Sequence, residues 1–388
     1  MRNFRTSTAV AGLLLLQSLL IASPQWLQYR TSDRTRDIVG GSRGSVSRFL
    51  ETPSELKLPE MSTDKPKFIK WNTAMDKQGF RWVVLDKKHK YGLCDILYID
   101  SDGDGRLDDE QKHEGRQTNQ YEVEFAQVPV YFEGEDGPIT YHLNLRYFKY
   151  DKNNERFYAS AGCWYEGDVM IGGEKTRCVL VDYNCNGTFN DKSEDFNCDR
   201  ILIGPEGSHK QLYMGNYLEY EDALYRPNIA KDGANVEITS APDVAYGEVE
   251  MPASITSFTA GGLNGMFTRS VKDGKVQLPA GQYRIFSWEI VRKDDKGAEW
   301  KVQGQWLPEG NEFEVAKDSA ANLDIGEPFF SKLDARMRNK SHYFNQGLVG
   351  KHGERISLYK NNNRPSAPKV HIRNKTGEYD RTFALEYG

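Results

Sequence analysis

The sequence predicts a mostly β protein: an antiparallel β domain that carries two EF-hand-like loops, followed by one or two β-sandwich domains. The first observation is composition, because 35 Gly, 21 Tyr and 18 Phe in 388 residues favour strands and turns over helices. The second is the alternation of apolar and polar residues in several segments. The third is a pair of acidic segments, each of which follows an apolar run. A chain of this length is expected to fold as two or three domains.

Composition and charge exclude several classes of protein. Hydrophobic residues make up 38% and charged residues 28% of the chain, which provides enough apolar material for folded cores and excludes disorder for the bulk. The net charge of −5 lacks the positive surplus that binding along nucleic-acid phosphates needs, so no nucleic acid is expected as a partner. The sequence contains neither a Walker A motif nor a G-x-G-x-x-G motif, so no nucleotide is expected either.

Residues 1–23 have the features of a signal peptide. Arg2 and Arg5 precede an uncharged apolar run at 9–22, which has signal-peptide length and is too short for a membrane span. We therefore expect a secreted, periplasmic or cell-surface protein, with membrane attachment only through an uncleaved signal anchor. Residues 24–66 are rich in Arg, Ser and Thr without a sustained period, and they are predicted to be a flexible linker.

Residues 67–241 are predicted to form the β domain that carries the two loops. Apolar and polar residues alternate in 120–132, as they do in half-buried antiparallel strands. Segment 168–182 contains the two-residue Gly-Gly connection of a tight hairpin. The second arm of this hairpin, at 178–181, is apolar on both faces and is expected to be a central strand.

Residues 242–388 are predicted to be a β-sandwich region. Segments 282–292 and 298–306 read as the two arms of a long hairpin joined by a polar turn. Strand-like runs continue to the C-terminus, so the region is either one large sandwich or two small ones at 242–325 and 326–388.

The strongest chemical signal is the acidic segment Asp100-Ser-Asp102-Gly-Asp104-Gly. Carboxylates at alternate positions can converge on one calcium ion, which takes about six to eight oxygen ligands, and the glycine allows the sharp turn. A strand precedes the segment where an EF-hand has a helix, and the twelfth position is Gln rather than Glu, so Asp109 or Glu110 is expected to close the shell. The predicted calcium ligands here are Asp100, Asp102, Asp104, the backbone carbonyl of Arg106, Asp108, and Asp109 or Glu110.

A second copy of the segment begins at Asp182, 82 residues further along the chain, and an apolar strand precedes it also. Amides replace three of the carboxylates, which lowers the charge of the ligand set. This copy is therefore expected either to bind calcium more weakly or to form a metal-free turn rich in Asp and Asn. Its candidate ligands are Asp182, Asn184, Asn186, Thr188, Asn190 and Asp191.

Export would permit disulfide bonds, and the chain has five cysteines. Cys185 and Cys198 are the predicted disulfide pair because they bracket a short, polar, turn-rich segment. The alternative is that all five cysteines are buried thiols that act as small hydrophobic side chains.

Three segments together carry a resemblance to known proteins: the acidic loop at 100–105, G-K-x-x-L-P-A-G-x-Y at 274–283, and F-x-x-x-Y-G at 383–388. In these features the chain resembles a poorly characterised group of secreted, β-rich bacterial proteins with repeated strand-DxDxDG loops. The L-P-A-G-x-Y part also resembles the start of a strand in carboxypeptidase-regulatory-like and other prealbumin-type sandwiches. The resemblance implies a location outside the cytoplasm, calcium loops and a C-terminal sandwich, and it implies no activity.

The sequence gives little support for catalysis: a literal G-x-S-x-G occurs at 40–44, but no earlier strands are predicted that could form the sheet a hydrolase nucleophile needs. No H-E-x-x-H and no paired C-x-x-C is present, so neither a zinc protease site nor a structural zinc site is supported. The leading hypothesis is a secreted, calcium-stabilised binding or structural module at the cell surface, with a polysaccharide or a cell-surface protein as its partner. The alternative is an extracellular glycan-active hydrolase, because its two carboxylates can come from distant strands without a local motif.

Overall fold

The computed structural model describes residues 23–40, 45–47, 49–53, 56–89, 91–134, 137–151, 153–194, 197–305, 307, 311–339 and 341–387. The predicted signal peptide, apart from its last residue, lies outside these ranges. The protein is almost entirely β, with 56% strand and 1% helix, and most of its strand pairs are antiparallel. The predicted fold class is confirmed.

The described elements before residue 241 are one short helix and a series of strands. They are β1 (Gln25–Trp26), β2 (Gln28–Thr31), α1 (Thr35–Val39), β3 (Ser45–Ser47), β4 (Lys67–Asn72), β5 (Phe80–Asp86), β6 (Ile96–Ile99), β7 (His113–Glu114), β8 (Arg116–Asn119), β9 (Glu122–Gly134), β10 (Gly137–Asp151), β11 (Asn154–Ala161), β12 (Cys163–Ile171), β13 (Glu174–Val181), β14 (Arg200–Ile203), β15 (Lys210–Tyr213), β16 (Leu218–Tyr220), β17 (Ala223–Ile229) and β18 (Asn235–Ser240).

The described elements after residue 241 are all strands. They are β19 (Tyr246–Glu250), β20 (Ser257–Gly262), β21 (Gly265–Ser270), β22 (Lys275–Pro279), β23 (Gly281–Lys293), β24 (Glu299–Gln305), β25 (Glu312–Val315), β26 (Ala320–Asn322), β27 (Phe330–Arg338), β28 (Ser341–Val349), β29 (Arg355–Lys360), β30 (Lys369–Arg373) and β31 (Asp380–Ala384).

Four antiparallel sheets surround the first core. Their strand orders are β3-β11-β10-β9-β8, β15-β14-β13-β12-β2, β1-β18-β17-β16 and β4-β5-β6-β7. Trp71, Phe125 and Tyr141 are among the large side chains that this core buries. The predicted Gly-Gly hairpin is confirmed as β12 and β13, and its apolar arm is central, since β13 lies between β12 and β14.

The structure corrects the prediction that residues 24–66 are a flexible linker. β1 pairs with β18, and β2 pairs with β12. These strands have two and four residues, too few to show an apolar period, and they are held by backbone hydrogen bonds at sheet edges. Leu27, between them, is buried in the first core.

The second core lies between an eight-stranded sheet and a three-stranded sheet. The larger sheet runs β21-β20-β23-β24-β29-β28-β27, with β25 paired to β23, and the smaller runs β22-β19-β26. Side chains of both sheets meet in this core, among them Val249 and Leu278 from the smaller sheet and Trp288 from the larger. The arrangement is β-sandwich-like. The predicted long hairpin is confirmed as β23 and β24.

Gly304 on β24 gives a test of packing in the second core. A Cβ atom at this position would overlap the indole ring of Trp288, which is fully buried. We expect Gly304→Ala to lower the free energy of unfolding by about 1–3 kcal/mol, the usual effect of overpacking a core. Gly347 on β28 of the same sheet has no atom within 4 Å of such a Cβ, so Gly347→Ala is the matched control and should change little. Equal urea midpoints for both variants would contradict this packing.

Candidate metal centre

The first acidic loop begins where a fully buried strand ends. All four residues of β6 are buried, and Asp100 follows the last of them. Carboxylates of the loop accept hydrogen bonds from its own backbone: Gly103 N–H donates to Asp100 Oδ1 (2.8 Å), and Asp104 N–H donates to Asp102 Oδ1 (3.1 Å). Hydrogen bonds of this kind are typical of turns built by aspartate. The alternate spacing of the acids therefore folds the backbone around their carboxylates.

Three carboxylates meet in this loop. Asp100, Asp102 and Asp104 each offer one oxygen, and these oxygens lie within 4.8 Å of one another. Asp102 and Asp104 face solvent, whereas Asp100 is 0% exposed. Among the described residues, no hydrogen-bond donor reaches Asp100 Oδ2. A buried acceptor without a donor costs about 1–3 kcal/mol, and a cation at the cluster would relieve that cost.

The other predicted side-chain ligands of the first loop are engaged elsewhere. Asp108 accepts two hydrogen bonds from the Arg106 guanidinium, at 3.0 and 3.1 Å, and an Asp109 oxygen lies 3.4 Å from Arg106 Nη1. Glu110 accepts hydrogen bonds from the backbone N–H and the hydroxyl of Ser101. Asp108 and Asp109 therefore face the side chain of Arg106 rather than the cluster. Their spacing in the sequence did not show that an arginine would compete with the ion for these carboxylates.

A buried arginine that was not among the predicted site residues lies beside the cluster. Arg81 Nη1 is 3.6 Å from Asp100 Oδ1, and Arg81 Nε is 2.9 Å from Asp76 Oδ2. Its Nη2 donates to the carbonyl of Tyr131 (3.2 Å). A Cβ atom on Gly103 would overlap this guanidinium, so the loop backbone rests directly on it. The signal in the sequence was a single arginine in segment 80–85 of β5, which is otherwise apolar.

Burial controls the protonation of the loop. It is the main reason that the pKa of Asp100 is raised to about 7; Arg81 lowers this pKa, and the charges of Glu110, Asp102 and Asp104 contribute to raising it. Burial also raises the pKa of Glu110. A cation bound here would favour the charged form of both groups and so lower both pKa values.

The second loop has the same frame, but hydrogen bonds inside the protein satisfy its buried carboxylate. Asp182 follows β13 and is fully buried, which raises its pKa. Its Oδ1 accepts from the N–H of Cys185 (2.6 Å), and its Oδ2 accepts from the N–H of Gly187 (2.7 Å) and the hydroxyl of Tyr141 (2.8 Å). Both oxygens have donors, in contrast to Asp100.

Amide groups occupy the positions that carboxylates hold in the first loop. The side-chain amides of Asn184 and Asn186 both donate to Asp191 Oδ2, at 2.7 and 2.6 Å. Asn186 Oδ1 accepts from the N–H and the hydroxyl of Thr188, at 2.9 and 2.7 Å. The Asn190 amide donates outside the loop, to the carbonyl of residue 229 (3.4 Å). These predicted ligands bind one another, which favours the metal-free turn over a calcium site.

Asp199, like Arg81 at the first loop, was not among the predicted site residues. It is fully buried and accepts hydrogen bonds from the N–H groups of Tyr183 (3.1 Å) and Asp191 (2.8 Å). Burial raises its pKa well above the ordinary value, and the nearby charges of Asp182 and Asp191 raise it further. Asp199 therefore ties both ends of the second loop to the following strand, a contact that no local spacing reveals. Within the part of the chain that the structure describes, only the first loop gathers three candidate acidic, His or Cys ligands.

The predicted disulfide between Cys185 and Cys198 is not formed. All five cysteines lie in the described ranges, all are buried, and none is in a disulfide. The Cys185 sulfur lies 4.0 Å from the hydroxyl of Tyr141, and the Cys198 sulfur accepts from Arg200 Nη1 (3.1 Å). The two thiols thus face different partners, and the alternative of buried thiols describes the structure.

A cavity of about 600 Å³ lies between the two halves of the chain. Glu194 and Asn216 line it from the first half, and Tyr283, Arg284 and Glu312 line it from the second. Glu312 is ion-paired with Arg284 at 2.8 Å. The cavity therefore presents two carboxylates, one of which already has a cationic partner.

Comparison with known proteins gives no relative from which to transfer a function. The chain matches no protein-family model, no curated protein and no solved structure. In the described residues, no helix is long and apolar enough to span a membrane. The fold and the site define a class: a β-rich protein whose described residues contain one cluster of three carboxylates.

We expect the Asp100 carboxyl to make calcium-free protein less stable as the pH rises from about 4 to about 7. A carboxyl group whose pKa is higher in the folded than in the unfolded chain favours folding below the unfolded value, about 3.9, and this contribution is lost as the pH rises through the folded value of about 7. Urea unfolding of wild type and Asp100→Asn, each with chelator, isolates this group. The difference in free energy of unfolding between the two proteins should change across this interval, and a constant difference would contradict the raised pKa.

Proposed function

We propose that this is an exported, calcium-stabilised β protein that acts as a binding or structural module at the cell surface. The observation that carries the proposal is the buried Asp100 Oδ2, which lacks a donor and lies in a cluster with the carboxylates of Asp102 and Asp104. Oxygen ligands from alternate positions of a tight acidic loop suit calcium better than softer metals.

The position of the loop supports a stabilising role for the ion. Backbone hydrogen bonds join the loop to three other parts of the first half: Asp100 N–H to the carbonyl of Trp82, Tyr131 N–H to the carbonyl of Ser101, and Leu107 N–H to the carbonyl of Lys57, each at 2.8–2.9 Å. Leu107 is fully buried. An ion that holds the loop would therefore also hold β5, β9 and the segment before β4.

Electrostatics supports the same role. The carboxylates of Asp100, Asp102, Asp104 and Glu110 repel one another, and Arg81 is the cation that the structure places against Asp100. A divalent cation would offset this repulsion. At about 1 mM calcium and a dissociation constant of about 0.1 mM, typical of extracellular modules, preferential binding to the folded state adds about 1.4 kcal/mol.

Hydrolysis of a glycan is the second candidate function, and one observation favours it. Glu194 and Glu312 line the same cavity, and a pair of carboxylates is what most glycosidases use. Arg284 is ion-paired with Glu312, so we take Glu194 as the candidate acid. If this function is correct, Glu194→Gln should abolish release of reducing sugar from a polysaccharide panel.

Exchanging the acids of the first loop for amides tests the calcium site. We expect Asp102→Asn with Asp104→Asn to weaken calcium binding at least about tenfold, because the ligand set then resembles that of the second loop. Isothermal titration and calcium-dependent melting both measure the effect. Asp108→Asn is the matched control in the same loop, because Asp108 binds Arg106 rather than the cluster, and it should keep most of the affinity.

Whether the second loop binds calcium determines how many calcium sites a titration should show. Asn184→Ala should leave the calcium titration unchanged, since the Asn184 amide already donates to Asp191. A titration that loses a site in this variant would contradict the metal-free turn. A melting temperature of the wild-type protein that is equal with calcium and with chelator would refute the calcium-stabilised module.

Arg81 should set the calcium affinity through its charge. We expect Arg81→Gln to destabilise calcium-free protein and to increase the stabilisation that calcium provides, because a cation 3.6 Å from Asp100 competes with the ion. Melting curves with calcium and with chelator give both quantities. A smaller calcium effect in Arg81→Gln than in wild type would show that Arg81 supports the ion by shaping the loop.

A further inference from the structure

The strands β27 and β28 form a ribbon that projects beyond its sheet. They pair with each other along their whole length, from Phe330 opposite Val349 to Arg338 opposite Ser341. β28 pairs with β29 only at Leu348 and Val349. In the described residues, 331–339 and 341–347 therefore pair only with one another, and we call these two segments the ribbon. A two-stranded ribbon with both faces in water has marginal stability, so a partner surface would stabilise it.

The ribbon exposes large apolar side chains on both faces. All nine residues of β27 are exposed. Met337 is 72% exposed, Tyr343 is 59% exposed and Leu333 is 52% exposed. The pairing register places Leu333 and Met337 on one face and Tyr343, opposite Arg336, on the other. Exposed apolar side chains grouped in this way indicate a binding surface.

The ribbon is also the basic end of an acidic protein. Residues 326–388 contain 12 Lys or Arg and 6 Asp or Glu, whereas the rest of the chain contains 39 and 50. On the ribbon, Lys332 and Arg338 are exposed, and so is Arg336, which forms an exposed ion pair with Asp334 (2.7 Å). A charge distribution of this kind orients the molecule, because a negative surface attracts the ribbon and repels the remainder.

We propose that the ribbon binds an anionic lipid surface. Its basic side chains would pair with lipid phosphates, while Met337, Leu333 and Tyr343 enter the region between headgroups and acyl chains. A protein partner would need a deep groove to cover both faces of the ribbon, whereas a lipid surface accepts a narrow, two-sided arm without a matching shape. This attachment is peripheral and does not depend on the signal segment or on the calcium loop.

Vesicle binding by the full chain tests the proposal. We expect binding to phosphatidylcholine vesicles that contain about 30% phosphatidylglycerol. Binding to vesicles of pure phosphatidylcholine should be much weaker, and this control measures any insertion by residues 1–22. Met337→Ser with Arg338→Glu should reduce binding to the anionic vesicles at least about tenfold. Raising NaCl from about 0.1 to about 0.5 M should weaken wild-type binding, since salt screens the attraction.

A matched control exists on the acidic part of the chain. Met170 and Lys175 face each other across the β12–β13 hairpin and are both exposed, so Met170→Ser with Lys175→Glu makes the same chemical and charge change away from the ribbon. It should bind anionic vesicles like wild type. If the first ribbon variant does not fold, judged by its melting curve, Leu333→Ser with Lys332→Glu gives the same test.

A polarity-sensitive dye gives a second measurement. The five native cysteines are buried, so a thiol-reactive dye should label Met337→Cys selectively. Its emission should shift to the blue on anionic vesicles, whereas the same dye at Met170→Cys should not respond. Equal binding of wild type and both ribbon variants would overturn the proposal. So would a concentration-dependent dimer, seen by light scattering, that the ribbon variants abolish, because the partner would then be a second copy of this chain.

Discussion

A carboxylate buried at the end of a core strand is the constraint on which the first half of the protein depends. Asp100 follows β6 and Asp182 follows β13, and both are fully buried. A buried charge without compensation costs several kcal/mol, so each loop must supply partners to its aspartate. The two loops supply these partners in different ways. The strands that lead into the loops, β6 and β13, depend on whether their aspartate is compensated.

The two loops solve this problem differently although they share a sequence frame. At Asp182, backbone N–H groups, the hydroxyl of Tyr141 and nearby amide groups form a closed hydrogen-bond network. At Asp100, Arg81 compensates one oxygen, and the other oxygen lacks a donor among the described residues. The loop at Asp182 is satisfied by hydrogen bonds within the protein, whereas the loop at Asp100 would gain stability from the cation that we propose. A single chain thus contains an internally satisfied loop beside a loop suited to calcium.

The distribution of charge separates two roles along the chain. Acidic residues dominate up to residue 325, where the candidate ion site lies, and basic residues dominate after it, where the ribbon projects. The second core is sandwich-like, and in it Trp288 packs against the glycine at position 304. Stability can therefore depend on an ion at the first acidic loop, while the ribbon forms a surface contact.

The sequence by itself determined the β class, the Gly-Gly hairpin, the long hairpin and the convergence of Asp100, Asp102 and Asp104, because each follows from periods of two residues or from turn chemistry within a few positions. Only the tertiary structure decided that Arg81 and Asp199 belong to the two loops, since Arg81 comes from β5 and Asp199 lies just before β14. It also decided that Cys185 and Cys198 face different partners and that residues 25–31 join sheets. Such contacts depend on which distant strands pack together, and no local pattern records that choice.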